Sequence, residues 1–115
     1  MEVSYFSKGE ALIVAAIGRV DESTWEEFGR HLSRGIEKAA DQSLDTLVID
    51  LSKIEYMSSR GLRVLTLAKQ LGRASGVSIR LAAPNDIMRE ILAISRYDKL
   101  FPVDRALPAS EWDGR

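Results

Sequence analysis

Leu47-Val48-Ile49-Asp50-Leu51, then Ser52-Lys53-Ile54-Glu55, then Tyr56-Met57-Ser58-Ser59-Arg60-Gly61-Leu62 reads as a strand that delivers the chain into a helix. The apolar run from Leu47 fits a strand buried on both faces. Beyond it, apolar residues recur every three or four positions, which predicts a helix from about Ser58 to Arg73. A pair of serines stands at the junction. Their hydroxyls can cap the N–H groups that a first helical turn leaves unpaired, and the same N–H groups and dipole stabilise an anion placed there.

Helical phase separates the two serines. Ser58 falls in line with Leu62 and Leu65, so it points inward, whereas Ser59 falls in line with Arg63, Thr66, Gln70 and Arg73 and points to solvent. Ser58 is therefore assigned the N-cap, with Gly61 in the turn that it caps. Ser59 is assigned the role of a surface hydroxyl open to another protein. A simpler reading, in which both serines only cap the helix, stands beside this one.

Outward from this junction the chain alternates strands and helices. Val3–Phe6 and Ala11–Ile17, joined by Ser7-Lys8-Gly9-Glu10, pair as an opening hairpin, and the nearly all-apolar second strand belongs at the centre of a sheet. After Gly18, the spacings Ser23 to Glu26 and Thr24 to Glu27 are overlapping capping boxes. The helix that follows carries the stripe Trp25, Phe28, Leu32, Ile36 and Ala39, with Trp25 and Phe28 as core anchors. Thr46–Leu51 and Val77–Ala82 are further strands; Gly72 and Gly76 mark the stop between them, and Pro84-Asn85-Asp86 caps a helix through Ile87–Leu92. Pro102 suits a strand end or an edge. The expectation is an α/β fold: one domain over residues 1–115 with a mixed, mostly parallel sheet, an N-terminal β-hairpin and about four helices. The tail at 105–115, with Trp112, reads as a short helix or a disordered end.

Composition narrows the function. At 115 residues, with 45% apolar and 29% charged residues and a formal net charge of −1, the chain has the makings of one core and gives no electrostatic reason to bind nucleic acid. The absence of cysteine excludes disulfides and thiolate metal sites and accords with a reducing cytoplasm. Met1-Glu2-Val3-Ser4-Tyr5 has neither a basic nor a long apolar stretch, and no run of 18 apolar residues occurs, so a cytoplasmic protein without membrane insertion is expected. The lone histidine, His31, is read as a rim residue, and neither Gly18-Arg19-Val20-Asp21 nor Gly72–Gly76 forms a phosphate-cradling loop. No enzyme, cofactor or metal is expected.

The segment from Val48 to Leu62 resembles the signature of the STAS domain, in particular the bacterial anti-sigma factor antagonists. Gly18-Arg19-Val20-Asp21 is similar to that family's early Gly-Glu-Leu-Asp turn, and Ile94–Val103 to its closing segment. Three matches in order make the resemblance specific. It implies that Ser59 is the phosphorylated serine. It also implies an ATP-dependent anti-sigma factor that is a serine kinase as partner, and a metal-dependent serine phosphatase that resets the switch. The unphosphorylated protein is then expected to sequester the anti-sigma factor and to let it go on phosphorylation, with Arg19, Asp21, Arg60, Leu62 and Arg63 as partner-binding residues; a homodimer is also open. The chain departs from the family pattern in Arg60 for a small residue, Ser58 for a frequent Asp, and Arg19 for the usual Glu. All three raise local positive potential, which favours an attached phosphate, although Arg60 beside the serine also reads as a barrier to a kinase. The competing expectation is a non-switching STAS adaptor subunit of a lipid or anion transport assembly.

Overall fold

The structure, a computed structural model, describes residues 1–107. Strands β1 (Glu2–Lys8) and β2 (Ala11–Val20) form the expected antiparallel hairpin, with Tyr5 opposite Val14 and Gly9 at φ 58° in the turn. Helix α1 (Trp25–Asp41) leads to β3 (Thr46–Asp50), a short β4 (Ile54–Met57) and α2 (Ser59–Ser75). Then follow β5 (Ser78–Ala82), α3 (Asp86–Ser95), a single 3-10 turn (Tyr97–Lys99) and β6 (Val103–Asp104). The six-stranded sheet runs β1-β2-β3-β5-β6, with β4 on β2 off this path, and every pairing after the hairpin is parallel.

Strand β2 is long because it serves two neighbours. Its first half pairs with β3, from Ala11 opposite Thr46 to Ala15 opposite Asp50. Past an irregularity at Gly18, its second half pairs with β4, Val20 opposite Met57. Gly18 sits at φ 118°, which side-chain-bearing residues rarely adopt, and its N–H donates to the Lys53 carbonyl at 3.0 Å.

The main core lies between one face of the sheet and the helices. Phe28, Leu32, Ile36 and Ala39 of α1 and Leu62, Val64, Leu65 and Ala68 of α2 close over Leu12, Val14, Leu47, Ile49 and Leu81. On the opposite face, Ala11, Ile13, Val48 and Ala82 form a smaller cluster against which Leu107 packs. Burial of apolar area on this scale is the dominant favourable term in folding.

Two expectations are corrected. Among the described residues there are three α-helices rather than about four: Arg96, at φ 66°, ends α3, and the chain then spends only one 3-10 turn before Phe101 enters the core and β6 begins. Residues 108–115, and with them Trp112, lie outside the described residues. Secondly, the capping boxes do not form. The Thr24 hydroxyl turns back to donate to the Arg19 carbonyl at 2.7 Å and to accept from the Asp21 N–H at 2.9 Å, which closes the β2–α1 turn instead of capping α1.

Candidate functional site

The end of β2 and the start of α2 are adjacent because β4 joins them. The Ser58 N–H donates to the Val20 carbonyl at 2.8 Å, so the serine pair is fixed to the β2–α1 turn by backbone. Ser58 is extended (φ −78°, ψ 174°), and its Oγ accepts from the Gly61 N–H at 3.3 Å as the N-cap of α2. Gly61 is required by space: a Cβ there would stand 2.5 Å from Met57 Cγ and 2.7 Å from Val20 Cγ1. Glycine at this point brings α2 down onto β2 and β4. Ser59, the first residue of α2, is exposed, and among the described residues its hydroxyl has no hydrogen-bond partner.

The basic residues around Ser59 are held differently. The Arg60 guanidinium lies 5.2 Å from the Trp25 ring centroid, and its Nε is 3.6 Å from a Glu22 carboxylate oxygen, so it spans from α2 to the start of α1. Arg19 stacks over Tyr56 at 4.7 Å and approaches Asp21 at 3.7 Å. Such contacts are favourable for a planar guanidinium, modestly so at an exposed site. Trp25, expected as a core anchor, is only half-buried, since one side of its ring carries Arg60. Asp21 is turned into its own loop: it accepts from the Ser23 hydroxyl at 2.9 Å and the Ser23 N–H at 3.0 Å. Those bonds, with smaller help from Thr24 and Arg19, hold its carboxyl below the usual range.

Arg63 is exposed on the outer face of α2 and has no ion pair among the described residues. It lines a shallow groove of about 530 Å³ with Ser59, Arg60, Thr66, Gln70 and Tyr97. Tyr97 comes from the 3-10 turn, and its hydroxyl is 3.0 Å from the Thr66 hydroxyl. Leu62, grouped from the sequence with the partner-binding residues, is 9% exposed and faces the core. It supports the site from beneath and is not part of its surface. Ser59, Arg60, Arg63, Arg19 and Asp21 are thus brought together, Ser58 and Gly61 position them, and Leu62 is removed. Tyr56, Glu22 and Tyr97 were missed by sequence reasoning, because their contacts cross between elements.

Among the described residues no group of three or more His, Cys, Asp or Glu is placed to hold a metal ion, and no helix is long and apolar enough to cross a membrane. His31 lies on the rim of the fold, with Nδ1 3.2 Å from the Tyr5 hydroxyl and Nε2 3.7 Å from Glu27.

Residues 5–109 match the STAS domain, and the chain belongs to that family. The candidate anti-sigma factor antagonist BtrV of Bordetella bronchiseptica is 30% identical over 105 residues, 90% of this chain and 86% of that protein. Among solved structures, a candidate anti-sigma factor antagonist of Thermotoga maritima superposes with a TM-score of 0.78 at 14% identity, covering 96% of this chain and 92% of that one. The anti-sigma factor antagonist SpoIIAA in its unphosphorylated form gives 0.70 at 15% identity, covering 97% and 94%. The phosphorylated form of SpoIIAA, a Bacillus cell fate determinant, gives 0.64 at 16% identity, covering 97% of each chain. At those identities the solved structures speak for the fold.

Proposed function

We propose that this chain is an anti-sigma factor antagonist: unphosphorylated, it docks on an anti-sigma factor that is also a serine kinase, and phosphorylation of Ser59 ends that contact. The observation that carries the reading is the division of labour between the serines. Ser58 is consumed by the N-cap, while Ser59 presents an exposed hydroxyl that has no hydrogen bond among the described residues. The likeness to BtrV supports the class of partner. The docking surface comprises Arg19 and Asp21 of the β2–α1 turn with Arg60 and Arg63 of α2.

In the modification, the γ-phosphoryl group of ATP passes to Ser59 Oγ as the bond to the ADP oxygen breaks, and the hydroxyl proton goes to a base on the kinase. Arg60 leaves the hydroxyl accessible because its guanidinium is drawn aside onto Trp25 and Glu22. The product carries about −1.5 to −2 charges in a surface that must shed water on docking. A penalty of about 4 kcal/mol there corresponds to a roughly thousandfold weaker complex. A metal-dependent serine phosphatase reverses the step by hydrolysis, and the protein itself contributes no catalytic group.

The test is to recover tagged wild type, Ser59→Ala and Ser59→Asp from the native cell and identify bound proteins and any phosphate on Ser59 by mass spectrometry. A kinase retained by wild type and Ser59→Ala but lost by Ser59→Asp is the expected result. Equal recovery of the same transport proteins by all three, with Ser59 unmodified, would replace this reading with the adaptor one.

A further inference from the structure

Each arginine beside Ser59 except one is already committed. Arg60 is held between the Trp25 ring and Glu22, and Arg19 between the Tyr56 ring and Asp21. Arg63 has no ion pair among the described residues. It stands four residues after Ser59 on α2, one turn along the same face. Helical side chains lean toward the N-terminus, a lean that lets an arginine at position 63 reach back over the first turn to Ser59. Ser59 and Arg63 line the same groove.

The groove is also free of competitors. Its other lining groups are Arg60, Thr66, Leu67 and Gln70 of α2 and Tyr97 of the 3-10 turn; none is a carboxylate, and the first turn of α2 has no acidic residue. A guanidinium matches a phosphate with two parallel donors, a geometry that lysine lacks.

We propose that Arg63 holds the phosphate on Ser59, so that modification both adds anionic charge to the docking surface and withdraws from it the arginine that is unpaired among the described residues. This rests on the phosphorylation reading above and deepens it. The same side chain then serves two states. In the unphosphorylated protein Arg63 faces the partner, and in the phosphorylated protein it faces its own helix. Off-switching has two parts, of which Ser59→Asp, with a shorter and singly charged side chain, reproduces only the first.

The experiment places phosphoserine at position 59 of the full chain during translation, in wild type, Arg63→Gln, Arg63→Lys and Arg60→Gln backgrounds. It follows the second ionisation of the phosphate by ³¹P NMR. Pairing with Arg63 favours the dianion, so the wild-type midpoint lies below that of Arg63→Gln by about 0.3 pH unit or more, the shift equivalent to a helical four-residue ion pair. Arg63→Lys recovers part of the difference, and Arg60→Gln leaves the wild-type value in place. Equal midpoints in wild type and Arg63→Gln, or a shift that follows Arg60 instead, would overturn the assignment. Because phosphoserine enters during translation, the outcome does not depend on a kinase that recognises this protein. Failure to find modified Ser59 in cells would sink the switch and leave this titration as it stands.

Discussion

Replacing Gly61 by alanine should destabilise the protein, although the same replacement in an unconstrained helix stabilises it. The added Cβ would stand 2.5 Å from Met57 Cγ and 2.7 Å from Val20 Cγ1, and both residues are almost wholly buried. Val20 is stiff about χ1 and Met57 is met midway along its side chain, so neither yields by moving a free end. Overpacking of this kind costs up to about 3 kcal/mol. The gain in helix propensity returns at most about 1 kcal/mol. The net loss is about 2 kcal/mol, which for a urea slope of order 2 kcal/mol/M lowers the unfolding midpoint by about 1 M. Gly29→Ala is the internal control. Its Cβ would meet Val64 Cγ1 at 3.6 Å, an ordinary contact, so propensity alone acts and the midpoint rises by up to about 0.5 M. Urea unfolding of the two variants by circular dichroism should therefore give shifts of opposite sign. A midpoint for Gly61→Ala at or above wild type would refute the claim that α2 is seated by the absence of a side chain at this position.

The serine pair should separate in the same assay: Ser58→Ala loses the cap on Gly61 and costs about 0.5–1 kcal/mol, whereas Ser59→Ala stays within about 0.5 kcal/mol of wild type, and equal losses would contradict the assigned roles. Asn85 caps α3 through the Met88 N–H and donates to the Ile54 carbonyl at 2.8 Å and the Ser52 carbonyl at 3.2 Å. Asn85→Asp keeps the cap but sets a carboxylate against two carbonyl oxygens; a loss of about 1–2 kcal/mol is expected in thermal unfolding, and no loss would show that capping is all this residue does. The two-pronged bond from Arg80, at 2.8 and 2.9 Å, holds the Asp104 carboxyl below its usual value. A depressed folded-state pKa contributes stability above the unfolded value, near pH 4, and that contribution is lost as pH falls through the folded one. Asp104→Asn should therefore be less stable than wild type at pH 7, by under about 1 kcal/mol for so exposed a pair, with the gap closing below about pH 4; a gap independent of pH would assign the loss to packing.

What the sequence made legible was whatever depends on local periodicity. The hairpin, the three helices and the inward and outward serines all follow from spacing within one element. Pro102 was also read correctly, immediately before the edge strand β6. Strand β4 was not, because Ile54 and Met57 enclose the exposed pair Glu55 and Tyr56 and so break strict alternation. Its pairing partner lies some 35 residues back, on the half of β2 that β3 leaves free. Nothing in the spacing warned of it, since Gly18 reads as the end of a strand that in fact continues to Val20, twice the length of the five-residue β3. The contacts of the Thr24 hydroxyl and the Arg60 guanidinium were not legible for a related reason. Each makes its contacts across a turn or between helices, and a helical wheel shows only neighbours on the same helix.

The join between Ser58 N–H and the Val20 carbonyl bears on how such a surface changes over generations. Backbone atoms make that join and a glycine seats it, so the frame places few demands on the side chains that decorate it. Side chains at positions 19 and 60 can differ in size and charge without moving the serine they flank. Substitutions at a handful of exposed positions can thus alter the surface around Ser59 while the backbone junction that displays it stays in place.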